Sequence, residues 1–175
     1  MSPSTAAPII LLTLLWIAVT YTDVRYRRIP NKIVLVTLIS GLLLNATFGG
    51  LHGLLLSLGG FALAFALMFV LHVFGAMGAG DVKLFAAIGS VVGVSLVLPT
   101  YLVVALTVGA LAVCKMLYAR STRKTLFGVL QFFVGMLPGW QMPRFEAVAS
   151  DRRHTIPYGV AITFGSLLSL LIFRA

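Results

Sequence analysis

Long apolar runs separated by short polar connections dominate this chain. Six of the runs approach the roughly 20 residues that a helix needs to cross the core of a bilayer. They extend from Ala6 to Thr22, Ile33 to Phe48, Leu51 to Phe74, Val82 to Leu98, Thr100 to Tyr118 and Pro157 to Phe173. Glycine and proline stand at several of the connections, as at Gly49-Gly50 and Pro99. The pattern predicts an all-α integral membrane protein with six transmembrane helices.

A seventh apolar stretch, from Leu126 to Trp140, departs from this pattern. Glycine, glutamine and proline interrupt it, and arginine or lysine residues stand on both of its sides. A full crossing would place one of these basic groups outside, whereas basic residues favour the cytoplasmic side. We therefore expect a re-entrant or interfacial segment near 126–140 rather than a seventh span.

The composition excludes a soluble domain and the charge indicates a topology. The 175 residues are 60% hydrophobic and only 10% charged, with a mean hydropathy of +1.07, whereas soluble domains carry about 25% charged residues. Twelve of the 13 basic residues fall in connections on one side of a six-span arrangement, and only Arg174 falls on the other. This bias predicts that both termini are outside. We therefore attribute the net charge of +9 to the topology and to contact with anionic lipid headgroups, and not to binding of nucleic acid.

All four acidic residues lie on that same basic side. Glu146 and Asp151 stand in a polar loop beside arginines, where we expect solvated charge pairs. Asp23 ends the first predicted span, and Asp81 opens the fourth directly after a short glycine-rich stretch. Placing an ionisable side chain at the edge of a membrane costs free energy unless the side chain is paired or hydrated, so these two aspartates are candidate functional residues.

Each of the two aspartates also has a purely structural explanation. Asp23 can pair with nearby arginines such as Arg25, and an acid in the first turn of a helix, as Asp81 would be, is favoured by the helix dipole. Neither explanation accounts for two of only four acids lying at the same predicted depth at the ends of different spans. We therefore expect packing of the first and fourth spans to bring the two carboxyl groups together.

A close pair of carboxyl groups has a known chemical use. Two like charges a few ångströms apart cannot both ionise cheaply, so the pair holds a proton. The ionised member can activate a water while the protonated one donates to a carbonyl oxygen, as in aspartyl proteases. Other hydrolytic chemistries have little support, because Cys114 is the single cysteine and His52, His72 and His154 show no HExxH spacing. We expect no metal site and no cofactor.

Three short motifs resemble those of a known family. The stretch from Gly78 to Leu84, Gly-Ala-Gly-Asp-Val-Lys-Leu, resembles the GxGD signature of intramembrane aspartyl proteases in the form found in bacterial prepilin peptidases. The stretch from Asp23 to Asn31 is similar to the region around that family's first catalytic aspartate, where Ile-Pro-Asn follows the Asp. The stretch from Ile156 to Ile162 resembles the opening of the family's last span. The motifs occur in the family's order along the chain.

The resemblance assigns roles to residues. It implies that Asp23 and Asp81 are the catalytic pair of a metal-independent aspartic endopeptidase. It also implies glycines beside this pair that let the backbone turn and approach substrate. The residues expected to bind substrate are Gly78, Gly80, Lys83, Pro157 and Tyr158. For Lys83 an equally good explanation stays open, that of a basic marker at the cytoplasmic start of a helix.

The resemblance also implies a substrate and a location. Family members remove the basic leader of type IV pilin-like precursors at the cytoplasmic face of the bacterial inner membrane. Because the chain has one cysteine and a short connection between its first two spans, we expect a single membrane-embedded peptidase domain over residues 1–175 without an N-methyltransferase domain. Such short enzymes belong to tight-adherence (Flp) pilus systems. The expected partners are a pilin-like precursor and the lipid bilayer, with no nucleic acid, while the oligomeric state and the role of residues 120–154 stay open.

Three other functions are compatible with the same residues. A proton-coupled transporter could use the same acidic pair as a relay, although such sites usually lie near the membrane midplane on broken helices. A presenilin-like protease shares GxGD but places its first aspartate in a Tyr-Asp pair in the span just before it, and Asp23 comes three spans earlier. A non-catalytic scaffold would not need either carboxylate.

Overall fold

The described part of the chain is helical. The computed structural model describes residues 3–26, 29–74, 77–118 and 158–173, and contains no strand within them. The helices are α1 (Pro3–Tyr26), α2 (Asn31–Val73), α3 (Ala79–Val92), α4 (Val94–Tyr118) and α5 (Tyr158–Phe173). Within these ranges three segments are long and apolar enough to cross a membrane, namely Thr5–Tyr26, Asn31–Val73 and Val94–Leu111. The all-helical class is confirmed for the described residues, while six crossings and outside termini stay predictions.

The apolar segment predicted near 126–140 lies outside the described residues, as does Pro157. Residues Met1–Val108 and Pro157–Ala175 form one compact unit, which contains α5 and most of α1 to α4. A second unit, Gly109–Ile156, is described only for the end of α4. The candidate site lies wholly within the first unit.

The 43-residue helix α2 consists of two arms that meet at Gly50. This glycine has φ 57° and ψ −143°, a conformation that residues with a side chain rarely adopt. A Cβ on Gly41, in the first arm, would lie 2.5 Å from Ser90 Oγ, while Ser57 Oγ in the second arm donates to the Ser90 carbonyl. Gly41 and Ser57 would be about 24 Å apart along a straight helix. The chain therefore reverses at Gly50, and the two arms match the predicted second and third apolar runs.

The break between α3 and α4 lies at Gly93, not at Pro99 as the sequence pattern predicted. Gly93 has φ 76°, and its N–H donates to the Gly89 carbonyl at 3.0 Å as the helix ends. Pro99 is accommodated inside α4, where its missing N–H leaves only the carbonyl of Ser95 without a helical partner. The predicted Val82 to Leu98 span is thus wrong as a continuous helix. The 14 residues of α3 extend about 21 Å, less than the hydrocarbon core of about 30 Å.

Helix α3 is the most buried helix, and both arms of α2 pack against it. From Val82 to Val92 all of its residues are buried except Lys83. A Cβ on Gly89 would overlap the Gly60 carbonyl oxygen, so the two helix backbones touch directly. Asn45 Nδ2 donates to the Ser90 carbonyl at 2.8 Å and so satisfies polar groups inside this contact. The packing fixes α3 and with it the glycine-rich turn at its beginning.

Helix α5 packs along α1 and α4. The rings of Trp16 and Phe164 lie 6.0 Å apart between α1 and α5. The hydroxyls of Thr100 and Ser169 are 3.0 Å apart and join α5 to α4. The beginning of α5 lies beside the end of α1, where the Gly159 N–H donates to Asp23, and the candidate site forms there.

Candidate active site

The last turn of α1 carries Asp23. Its neighbours Val24 and Arg25 are exposed, but Asp23 itself is only 9% exposed because its side chain turns toward α5. The backbone N–H of Gly159 donates to Asp23 Oδ2 at 3.0 Å. A hydrogen bond between residues 136 positions apart ties the first of the sequence motifs to the third.

The first turn of α3 carries Asp81. Gly78 caps this helix in an extended conformation, with φ −75° and ψ 148°, and its carbonyl accepts the Asp81 N–H at 3.1 Å. A Cβ on Gly78 would lie 3.2 Å from Asp81 Oδ2. The Asp81 carboxyl therefore folds back over the beginning of its own helix, where Gly78 has no side chain to crowd it.

The two carboxyl groups interact, as the sequence predicted. The pKa of the Asp81 carboxyl is raised to about 6, chiefly because burial disfavours its charged form and further because the Asp23 carboxylate lies close to it. A hydrogen bond from the backbone of Gly78 acts in the opposite direction. Asp81 precedes the apolar run that begins at Val82, and is half-buried rather than sealed. The site can thus hold one proton between two acids below about pH 6.

Ile29 links the three motifs in space. Its Cδ1 lies 3.9 Å from where a Cβ on Gly80 would be and 3.2 Å from where a Cβ on Gly159 would be. Ile29 follows Asp23 in the first motif, Gly80 belongs to the second and Gly159 to the third. We call the group formed by Asp23, Ile29, Asp81, Tyr158 and Gly159 the carboxyl site.

Tyr158, the first residue of α5, lies on the Asp81 side of the carboxyl site. Its side chain is half-buried and interacts electrostatically with the Asp81 carboxylate. The next residue, Gly159, binds Asp23 through its backbone. Two consecutive residues of α5 thus interact with the two acids, Tyr158 electrostatically and Gly159 through a hydrogen bond.

The other predicted substrate-binding residues lie at the opening of this site or outside the described residues. Gly78, Gly80 and Lys83 are exposed around Asp81, so an incoming chain can approach Asp81 from their side. Pro157 lies outside the described residues. Among the residues that the structure describes, no group of three His, Cys, Asp or Glu side chains could hold a metal ion.

Neither Ile29 nor Gly159 has a predicted role, although both stand within the motifs. Ile29 is an aliphatic residue in a polar stretch, and Gly159 is the second residue of an apolar helix. The glycine at a helix start was the only available signal, because a backbone N–H donor leaves no mark in the sequence. Neither residue could be assigned before the three motifs were seen together.

The arrangement is suited to hydrolysis of an amide. Two carboxyl groups that share a proton can activate water and protonate a carbonyl oxygen at the same time. The exposed Gly78 and Gly80 leave room for the backbone of a substrate beside Asp81. The geometry therefore fits the aspartyl chemistry expected from the motifs.

Comparison with known proteins identifies a family of peptidases. Residues 9–113, which include both aspartates, match the type IV leader peptidase family. The chain is 29% identical over 167 residues to the prepilin leader peptidase/N-methyltransferase of Bacillus subtilis strain 168. This similarity covers 94% of the chain but only 55% of the relative, so the chain spans about half the length of the curated relative it matches. No solved structure matches the chain significantly.

These matches are to peptidases and do not favour the transporter alternative. The family match extends over more than half of the chain and includes the first two of the three motifs. The sequence resemblance to prepilin peptidases is thereby confirmed, and the chain belongs to the type IV leader peptidase family.

Proposed function

We propose that this protein is a membrane aspartyl endopeptidase that removes the basic leader peptide from type IV prepilins, of the Flp type. The observation that carries the proposal is the interaction of Asp23 and Asp81 within one carboxyl site, although the two residues are 58 positions apart in sequence. Family membership supports a peptidase acting on prepilins. The two carboxyl groups supply the chemistry that such a peptidase needs.

The proposed reaction has two steps, formation and breakdown of a tetrahedral diol, and both carboxyl groups act in each step. The ionised carboxylate takes a proton from a water molecule, whose oxygen attacks the carbonyl carbon of the scissile amide. The protonated carboxyl donates its proton to the carbonyl oxygen, which gives a tetrahedral diol. In the second step, the first carboxyl passes its proton to the amide nitrogen as the carbon–nitrogen bond breaks. A diol hydroxyl returns a proton to the second carboxylate, so the pair ends in its starting state.

The position of the carboxyl site supports cleavage at the edge of the membrane. The 24 residues of α1 extend about 36 Å, more than the hydrocarbon core of about 30 Å. We expect its last turn, which carries Asp23 and the exposed Arg25, to lie at the interface. Water is available there and absent from the bilayer centre. The bias of basic residues assigns this side to the cytoplasm of the inner membrane.

The proposal includes peptidase activity without methyltransferase activity. The named relative carries both activities in its name. In this chain only residues 27–30 connect α1 to α2, and Cys114 is the single cysteine. These features support the short form of the enzyme.

The test is cleavage of a Flp-type prepilin co-expressed with the wild-type chain or with variants. The wild-type chain is expected to release the leader, and N-terminal sequencing of the product identifies the bond. Asp23→Asn and Asp81→Asn keep the side-chain shape but remove the carboxylate, so each is expected to reduce cleavage by about 10³-fold or more.

Asp151→Asn is the matched control. It removes an acid that the sequence places in a polar loop beside arginines, and we expect cleavage within about twofold of wild type, since such surface charges contribute little. Full cleavage by Asp23→Asn or Asp81→Asn would remove that residue from the mechanism. Proton-linked flux in vesicles, with every prepilin left intact, would contradict the peptidase proposal altogether.

A further inference from the structure

The histidine at the end of α2 binds the chain just before α3. His72 lies in the last turn of α2, and its Nδ1 is 2.8 Å from the carbonyl oxygen of Met77. A carbonyl oxygen can only accept a hydrogen bond, so Nδ1 carries a hydrogen and donates it. His72 is thus tied to the residue that directly precedes Gly78.

Neighbouring rings on α2 hold the imidazole of His72 in place. The ring centroids of Phe69 and His72 are 6.3 Å apart. Phe69 in turn stacks on Phe65, with centroids 5.4 Å apart and planes 18° from parallel, and the row continues to Phe61. Aromatic pairs favour particular ring arrangements, so this row restricts the rotation of the imidazole.

The carbonyl that His72 binds belongs to the peptide group that joins Met77 to Gly78, which we call the turn peptide. The Met77 side chain is half-buried and packs against the apolar core, so the turn peptide is held through this side chain as well as through its carbonyl. It is trans, as are the other peptide bonds of the described residues. The C=O and N–H groups of a planar trans peptide point in opposite directions. With its carbonyl toward His72, the turn peptide directs the Gly78 N–H to the other side.

The Gly78 N–H meets the carboxyl group of Asp81. Gly78 caps α3 and Asp81 is the third residue of this helix, a position from which an acidic side chain can reach back to the N–H of the capping residue. Asp81 accepts a hydrogen bond from the Gly78 backbone, and its Oδ2 lies 3.2 Å from where a Cβ on Gly78 would be. One peptide group therefore connects the His72 imidazole to a member of the candidate catalytic pair.

On the basis of the proposed function, we propose that His72 is a positioning residue for Asp81 and acts through the turn peptide. The Nδ1–H fixes the carbonyl of this peptide, and thereby the direction of the N–H that holds the Asp81 carboxyl. A carbonyl that accepts a hydrogen bond also makes the N–H of the same peptide a stronger donor. In this role His72 neither contacts the substrate nor transfers a proton.

Two variants of His72 separate hydrogen bonding from ring packing. His72→Phe keeps a ring beside Phe69 but removes the donor, so kcat for prepilin cleavage is expected to fall about tenfold, the effect of one hydrogen bond. KM should stay within about twofold, because His72 does not bind the substrate. His72→Asn loses the ring but carries an amide N–H at the position of Nδ1, and should keep kcat within about threefold of wild type.

The opposite ranking of these variants would overturn the proposal. If only the ring matters, His72→Phe cleaves like wild type and His72→Asn is impaired. If the hydrogen bond only completes the end of α2, His72→Phe has a lower unfolding temperature with an unchanged kcat. Equal losses of kcat in the two variants would likewise contradict the role of the donor.

Nuclear magnetic resonance of the turn peptide tests the contact without substrate. Met77-Gly78 is the only Met-Gly pair in the chain, so labelling methionine with ¹³C at the carbonyl and glycine with ¹⁵N gives a single carbonyl–amide signal. His72→Phe is expected to move this signal in its carbon and amide-proton shifts, and Asp81→Asn in its amide-proton shift. A signal that stays at its wild-type position in His72→Phe would overturn the proposal.

His52→Phe is the matched control in the same arm of α2. His52 is exposed and lies about 30 Å along the helix from His72, so its replacement should leave both kcat and the signal of the turn peptide unchanged. If the wild-type chain leaves prepilin uncut, the proposed function fails. The signals of the variants still decide whether His72 acts on the turn peptide.

Discussion

Glycines serve opposite purposes at the two ends of α3. In its C-terminal half, Gly89 meets Gly60 of α2, and backbone atoms fill the space that a side chain would need. At its N-terminal end, the nearest described atom to a Cβ on Gly80 would be Ile29 Cδ1 at 3.9 Å, and both Gly78 and Gly80 are exposed. The first region uses glycine to bring helices together, and the second uses it to leave space open.

One short helix thus combines a rigid half with a reactive half. Neutral hydrogen bonds from Asn45 and Ser57 to the Ser90 carbonyl close the packed half. The open half carries Asp81, an acid whose pKa is raised by burial and by a second acid. Close packing of the C-terminal half of α3 holds the N-terminal half, with its half-buried acid, in place. Substitutions in the packed half should therefore affect folding, and those in the open half should affect cleavage.

Gly89→Ala is expected to have the largest effect on stability. The added methyl group would overlap the Gly60 carbonyl oxygen and come 2.5 Å from Ala64 Cβ, and overpacking of this kind costs about 1–3 kcal/mol or more. We expect a strongly lowered unfolding temperature and reduced yield of monodisperse protein in detergent. Gly49→Ala is the control and should leave both unchanged, because no atom of the described residues lies within 4 Å of the new Cβ.

Asp81→Asn is expected to stabilise the fold at high pH while it removes cleavage. The pKa of Asp81 rises from 3.8 in the unfolded chain to about 6 in the folded protein, so the protonated acid favours the folded state. This stabilisation is fully present below pH 3.8 and is lost as the pH rises through 6. Above pH 6 the variant should gain up to about 3 kcal/mol over wild type. The gain should vanish near pH 4, as measured by unfolding temperature. An equal gain at both pH values would contradict the assigned cause.

The same raised pKa predicts how cleavage depends on pH. If Asp81 donates a proton to the carbonyl oxygen, kcat/KM should fall as the pH rises above about 6. The fall should follow a single ionisation, because Asp81 loses one proton. A rate that keeps rising well above pH 6 would contradict Asp81 as the acid.

Gly80→Ala is expected to reduce cleavage with little effect on folding. The new methyl group has space in the free protein but narrows the opening beside Asp81, and a steric cost of about 1–2 kcal/mol would reduce kcat/KM by about tenfold. Comparison of kcat/KM and unfolding temperature with wild type measures both effects. A large loss of stability with unchanged kinetics would show that the open half packs like the other.

Lys83→Gln is expected to have the smallest effect. Lys83 is the one exposed residue between Val82 and Val92, so its ammonium group is solvated. We expect kcat/KM to change by less than about threefold, as for exposed charges in general. A loss of about a hundredfold would instead favour the alternative in which Lys83 stabilises charge on the substrate.

Much of this arrangement could be predicted from the sequence, for identifiable reasons. Apolar runs and Gly49-Gly50 marked the two arms of α2, and the scarcity of acids singled out Asp23 and Asp81. The break at Gly93 was missed because Pro99 is the stronger sequence signal, although α4 accommodates that proline in its interior. The Gly159 N–H was missed because its partner lies 136 residues away.

The most direct test of the central claim measures whether residues 23 and 81 meet. The variant Asp23→Cys/Asp81→Cys/Cys114→Ser contains only the two introduced thiols, since Cys114 is the sole cysteine. In lipid, a short bifunctional thiol reagent should join them within one chain, as detected by mass spectrometry. A control pair with Thr47→Cys in place of Asp81→Cys should stay unjoined, because Thr47 lies about 24 Å along α2 from Asn31. Efficient joining of the first pair is the predicted result, and failure to join it while the control pair reacts would contradict the account.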